Sequence, residues 1–132
     1  MRLAGARVLL TGAGSGIGLA TARLLAAAGA SLALVGRDRE RLAAAAAASE
    51  HEGRRAESFA FDLSAGEGHA ALIDAVRTRL GGLDLLINNA GVSSFCTFAD
   101  EDPARIERIV QTNLVAPMLL ARAALPVMLA QN

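Results

Sequence analysis

An α/β fold, with a parallel sheet covered by helices on both faces, follows from three observations on these 132 residues. Short apolar runs alternate with longer helix-period segments, as repeated strand–helix–strand units require. The core palette is aliphatic: 53% of the residues are hydrophobic but only 3% aromatic, with no Trp or Tyr. Leu, Ile, Val and Ala suit strands buried on both faces. A glycine-rich stretch, Thr11–Gly18, then separates the first strand from the first helix.

Each element has a local reason. Arg7–Thr11 reads as the first strand. Ile17–Ala28 reads as a helix that stops at Gly29, a residue that accepts the left-handed conformation beyond a helix end. Ser31–Val35 is the second strand, and Asp38 is placed to cap the helix after it. That helix contains Ala43–Ala48, the strongest helix-forming run in the chain, and is expected to end near Gly53. Ala56–Phe61 forms the third strand. Ser64 or Gly66 opens a third helix, which runs to about Leu80 and is broken by Gly81-Gly82. Leu83–Asn88 is the fourth strand, apolar enough to be covered on both faces. Pro103 fits the first turn of a last helix, bent at Pro117 and near Pro126. Right-handed crossovers give about four strands in the order 3-2-1-4. No linker, repeat or second domain interrupts residues 1–132, which read as one domain.

Bulk properties exclude several function classes. A chain of this length buries roughly two-thirds of its surface and needs no disulfide or metal staple. Thirteen basic and thirteen acidic residues cancel, so no electrostatic footprint for nucleic acid is expected. The apolar run Val8–Leu10 is too short for a signal peptide. No apolar stretch approaches membrane-spanning length without charge; Leu114–Ala130 comes closest but contains Arg122 and two prolines. The lone Cys96 suits a reducing cytoplasm.

The glycine stretch carries the chemistry. Glycines let a backbone turn sharply and approach a ligand closely, and the first amides of the following helix favour a pyrophosphate. No Lys-Ser or Lys-Thr follows, so this is not a Walker P-loop. The Gly-x-Gly-x-x-Gly spacing is also absent, because Ile17 and Leu19 occupy the places of its final glycine. A tight strand–helix turn without a ligand is the bland alternative.

What does match is Thr-Gly-x-x-x-Gly-Ile-Gly, and here the chain resembles the short-chain dehydrogenases/reductases. The resemblance implies a Rossmann-like nicotinamide-dinucleotide domain, with Gly12, Gly14, Ser15, Gly16, Ile17 and Gly18 against the cofactor. The family's cofactor-discriminating acid stands at the end of the second strand, where this chain has Gly36. Arg37 follows, and its guanidinium can hold a 2′-phosphate; a solvated loop arginine is the other reading. NADP(H) is therefore expected in preference to NAD(H), which remains an alternative. Asp62 and Leu63 follow the third strand, where the family contacts adenine. Asp62 can equally cap the next helix.

Asn88-Asn89-Ala90-Gly91 resembles the family run that steadies the central sheet and passes beneath the cofactor, with Asn89, Ala90 and Gly91 as binding residues. As an isolated run it would also serve as a strand-to-turn exit. The preceding Asp84 belongs to the same pattern as a structural residue. Asn113 matches the family asparagine that distorts the helix and whose backbone carbonyl holds a water in the proton relay. It is the one candidate catalytic residue. His51 and His69 read as surface histidines without a second metal ligand, so no metal site is expected. Cys96 lacks a basic neighbour, and Ser93 and Ser94 are loop serines with no assigned role.

The resemblance extends from Arg7 through the last helix. Family members continue with a strand bearing a catalytic Ser and a helix bearing Tyr-x-x-x-Lys, whereas these residues include no tyrosine and no lysine. The expected function is thus the NADP(H)-binding portion of an alcohol–carbonyl oxidoreductase, incomplete and inactive alone. A non-catalytic dinucleotide-binding module or a structural remnant is the alternative. Its partners would be the cofactor and, in the whole family protein, a small alcohol or carbonyl. No nucleic acid or membrane is expected, and self-association through the last helix or the exposed fourth strand is.

Overall fold

The computed structural model describes residues 2–50 and 55–131. Strands β1 (Arg7–Thr11), β2 (Ser31–Gly36), β3 (Ala56–Ala60) and β4 (Leu85–Ile87) form a parallel sheet in the order β3-β2-β1-β4. The helices are α1 (Gly16–Ala27), α2 (Arg39–Ala47), α3 (His69–Leu80), α4 (Pro103–Val110) and α5 (Ala116–Leu129), with a π turn, Gln111–Val115, joining the last two.

Strand alternation sorts the core into two layers. Val8, Leu10, Leu32 and Leu34 face Ala22, Leu25 and Ala26 of α1 and Leu42, Ala45 and Ala46 of α2. Leu9, Ala33 and Val35 point the other way, toward Ile73 and Val76 of α3 and Ala116, Leu120 and Ala124 of α5. All seven of these strand residues are fully buried. The central strands are thus covered on both faces, as their unbroken apolar runs require.

Helix α1 and strand β2 shift by a single residue at their ends, and other boundaries differ from the sequence expectation for identifiable reasons. Helix α2 ends at Ala47, not near Gly53, which lies outside the described residues. The amides of Ala48 and Ser49 bond back to the carbonyls of Ala44 and Ala46, and the chain must reverse before β3, where the Leu32 amide bonds to the Arg55 carbonyl. Helix α3 starts at His69 rather than at Ser64 or Gly66. Ser64 instead donates its amide and hydroxyl to Asp62 Oδ1 at 2.9 and 2.7 Å, closing a local turn that competes with helix. Strand β3 stops one residue short of Phe61.

Strand β4 is shorter than Leu83–Asn88 and only half-buried. Side chains reinforce its pairing with β1 at both ends, beside the backbone bond from the Asp84 amide to the Arg7 carbonyl at 2.8 Å. At the start, the Arg7 amide donates to Asp84 Oδ2 at 2.8 Å, while Arg7 Nε and Nη2 grip the same carboxylate at 2.8 and 2.6 Å. At the finish, Thr11 Oγ1 accepts the amides of Asn89 and Ala90, each at 3.0 Å.

The last helical segment shows the physics of proline. Pro117 has no N–H to offer the carbonyl of Asn113 four residues earlier, and its ring crowds that carbonyl. The π turn sits at this place, with the Ala116 amide bonding to the Gln111 carbonyl. The distortion thus precedes Pro117, while Pro126 lies within α5. By length and composition, Pro103–Leu129 is the one helix among the described residues that would be able to cross a membrane. Its Thr112, Ala116, Leu120 and Ala124 are nevertheless buried, the last three against the sheet and α3.

Candidate cofactor site

The site is built where β1 and β4 diverge. In the order 3-2-1-4, the chain leaves β1 toward one side for α1 and β2 and returns on the other side for β4. Such a switch point opens a crevice beyond the strand ends. A cavity of about 870 Å³ lies there, lined by the glycine turn, Arg37, Asp38, Arg41, Asp62, Leu63 and the segment Asn89–Val92.

Thr11 is the hub of the turn. Only 1% of it is exposed, and its hydroxyl accepts the Asn89 and Ala90 amides. Asn89 reciprocates, donating Nδ2 to the carbonyls of Thr11 and Gly12 at 3.0 and 3.4 Å. The β4 exit is thereby fastened beneath the glycine turn, whereas Asn88 is exposed. Gly12 adopts φ +69°, and a Cβ there would stand 2.9 Å from Ala90 Cα. At Gly18 a Cβ would lie 2.0 Å from the Gly12 carbonyl oxygen, so only glycine lets α1 pack on the turn.

The start of α1 differs from those of α2 and α4. Asp38 and Asp102 cap those two helices, accepting from Arg41 and Ala104 amides at 3.0 Å. Ser15 makes no side-chain cap, and the first turn of α1 carries no acid. Gly14, Ser15, Gly16, Ile17 and Gly18 all line the cavity, and a Cβ at Gly16 would meet nothing within 4 Å. An uncapped helix start facing open space fits a pyrophosphate, which would satisfy its amides.

The other end of the cavity is ionic. Asp62 uses Oδ1 for Ser64. Those bonds, joined by the charges of Arg37 and Arg108, hold its carboxyl below the usual carboxylate range despite partial burial. The helix-cap alternative for Asp62 is excluded, because α3 begins only at His69 with Gly68 preceding it at φ +91°. Leu63, buried behind Asp62, joins the core.

Asn113 does not line the cavity; its neighbour Thr112 does, with 7% exposure. Phe61, Val92 and Arg41 are further lining residues that sequence reasoning did not assign to the site, and Gly36, noted at the end of the second strand, lines it too. The position of Arg41 in the first turn after the Asp38 cap was the available signal. His69 is buried at 4% exposure rather than lying at the surface, packed edge-on to Phe61 with ring centroids 5.2 Å apart. Burial follows from its place at the start of α3, where Phe61 covers it; His51 lies outside the described residues. Cys96 is exposed, with Sγ 3.2 Å from Ser94 Oγ and 3.3 Å from Glu101 Oε2. Among the described residues, no group of three or more His, Cys, Asp or Glu side chains is placed to hold a metal.

The family model for short chain dehydrogenases matches residues 6–132. The chain belongs to the short-chain dehydrogenase/reductase family. The ketoacyl reductase HetN of Nostoc sp. (strain PCC 7120) is 39% identical over 77 residues, 58% of this chain and 27% of that protein. A metagenomic short-chain oxidoreductase solved in complex with NADP superposes with a TM-score of 0.89 at 40% identity, covering 98% of this chain and 59% of that one. An NAD+-bound xylitol dehydrogenase superposes at 0.90 with 32% identity, covering 99% of this chain and 51% of that one. The chain therefore spans between half and three-fifths of these two solved proteins. Its fold and family are those of nicotinamide-dependent oxidoreductases.

Proposed function

We propose that residues 1–132 form a single dinucleotide-binding domain with a preference for NADP(H), and that the whole protein interconverts an alcohol and a carbonyl. The observation that carries this is the cavity at the β1–β4 switch point, which the uncapped helix start, Arg37 and Asp62 line together. In this reading Gly12, Gly14, Ser15, Gly16, Ile17 and Gly18 cradle the pyrophosphate. Arg37 takes the 2′-phosphate, and the acceptor of Asp62 not bound to Ser64 receives the adenine amine. Leu63, Asn89, Ala90 and Gly91 pass along the adenosine and ribose. Bound nicotinamide supplies the hydride chemistry.

Asn113 is proposed to contribute through its backbone carbonyl, which the Pro117 ring cannot bond. The Tyr that exchanges the alcohol proton in this family, and the Lys that lowers its pKa, are not among these residues. A binding module without catalysis is the second reading. Reading the coding DNA past Asn132 distinguishes the two: an in-frame Ser and Tyr-x-x-x-Lys supports the oxidoreductase, and an immediate stop supports the module. A reducing cytoplasm is the proposed compartment, in keeping with the exposed free Cys96.

Titration of the purified chain with NADPH, followed by nicotinamide fluorescence, tests binding itself. Saturable enhancement that NADH reproduces only at higher concentration is expected. No binding of either cofactor would refute the domain's assignment, and equal affinities would refute the preference.

A further inference from the structure

Two arginines line the wall between the glycine turn and β2, and only Arg37 has a role in the proposal above. Arg41 stands in the first turn of α2, and a Cβ added at Gly14 would lie 3.3 Å from Arg41 Cβ. The start of α2 therefore leans over the turn that is proposed to hold the pyrophosphate. Asp38 holds Arg41 twice: Oδ1 accepts the Arg41 amide at 3.0 Å, and Oδ2 lies 3.3 Å from Nε. The side chains are 67% and 54% exposed, so the guanidinium stays open to an incoming anion while it sits beside the Asp38 carboxylate. A guanidinium has five N–H donors, and a contact through Nε leaves its Nη edge available.

Asp38 is the first acid after β2, and it lines the same cavity. A free carboxylate at such a place accepts hydrogen bonds from ribose hydroxyls, which favours NAD(H), and repels a 2′-phosphate. Here its charge is committed to capping α2 and to Arg41.

We infer that Arg41 is a second ligand for the 2′-phosphate and, by neutralising Asp38, the residue that suppresses NAD(H) binding at this site. Both effects push the same way. Arg37 alone would attract the phosphate while leaving an acid one residue away to oppose it. This inference rests on the NADP(H) reading.

Competition of 2′,5′-ADP and 5′-ADP against bound NADPH tests it on the wild type, Arg41→Met and Asp38→Asn. Met keeps most of the Arg stem that covers Gly14, and Asn caps a helix as well as Asp does. The wild type is expected to prefer 2′,5′-ADP. Arg41→Met should weaken 2′,5′-ADP roughly tenfold, the scale of a lost charge-assisted contact, with 5′-ADP unchanged or tighter. Asp38→Asn should raise the 2′,5′-ADP preference severalfold. A wild type without preference overturns the NADP(H) reading and this inference together. A preference that survives Arg41→Met intact overturns the inference alone. Should Arg41→Met fail to fold, Asp38→Asn decides: an unchanged or reduced preference overturns the proposal.

Discussion

Asn113 and Val92 are joined by a reciprocal pair of hydrogen bonds, Nδ2 donating to the Val92 carbonyl at 2.8 Å and Oδ1 accepting its amide at 2.9 Å. The side chain thus ties the π turn to the loop that leaves β4. It also connects a residue outside the cavity to its lining, since Val92 and Gly91 are part of that lining. Asn113→Ala should cost about 1 kcal/mol, because the pair is solvent-accessible and water replaces it. NADPH affinity should fall along with stability. Asn113→Asp keeps the acceptor for the Val92 amide but sets a carboxylate against its carbonyl, so it should not rescue either property. Urea denaturation and NADPH titration of the two variants check this.

Thr11 offers a sharper test, since its hydroxyl is the acceptor for two consecutive amides. Thr11→Val keeps the shape but strands the Ala90 amide and leaves the Asn89 amide only the Ile87 carbonyl at 3.2 Å, at a cost of about 2 kcal/mol. Thr11→Ser keeps the oxygen and should lose less than about 1 kcal/mol, the scale of one buried methyl. A Val variant as stable as the Ser variant in urea melts would refute the hub role.

The glycines are not equivalent. Gly18→Ala places a methyl 2.0 Å from the Gly12 carbonyl oxygen, a backbone clash that no rotamer relieves. It should destabilise by more than about 3 kcal/mol and abolish NADPH binding. Gly66 has nothing within 4 Å of an added Cβ and no positive φ. Gly66→Ala should be neutral or stabilise by up to about 1 kcal/mol. Thermal melts of the two variants compare them directly.

Acid stability should follow the carboxylates. The Arg7 guanidinium and amide hold Asp84 below its ordinary range against the opposing effect of burial, and Asp62 is held low by Ser64. A carboxyl depressed in the folded state contributes fully above its unfolded value of about 3.9 and loses that contribution as pH falls through the folded value. The melting temperature should therefore drop steeply below about pH 4. Asp84→Asn should lower stability at neutral pH and flatten that acid limb. An unchanged pH profile in Asp84→Asn would argue against the linkage.

The layered fold was legible because it depends on local signals. Short apolar runs marked the strands at Arg7–Thr11 and Ser31–Val35, and Asp38, Gly29 and Pro103 marked helix ends. What was hidden depends on contacts across the sheet. The limits of β4 are set by Arg7 and Thr11, more than seventy residues earlier, through side-chain bonds that no window around residue 85 contains. Asp62 kept Ser64 from opening α3, and Phe61 buried His69, for the same reason. In the site, the glycine turn and Asn89 were visible as motifs. Arg41 and Thr112 enter the cavity only because α2 and the π turn pack where they do.

Self-association is the remaining expectation, and the last helical segment supports it. Val110, Leu114, Met118, Leu125 and Leu129 recur at spacings of four and seven residues and are 47%, 56%, 63%, 53% and 69% exposed. Side chains at such intervals lie along one side of a helix, opposite the buried Ala116, Leu120 and Ala124. The exposed Arg122 stands on the same side, between Met118 and Leu125; the apolar side chains around it are costly in water and are relieved by burial against another apolar surface. A second copy of the same face is a ready partner, because a two-fold interface needs only one self-complementary patch. Sedimentation velocity of the purified chain should show a concentration-dependent shift above the monomer. Met118→Glu and Leu125→Glu together should return it to monomer without changing NADPH affinity, since neither residue lines the cavity. A wild-type chain that sediments as a monomer up to about 100 μM, well above the dissociation constants of specific dimers, would refute self-association through this face.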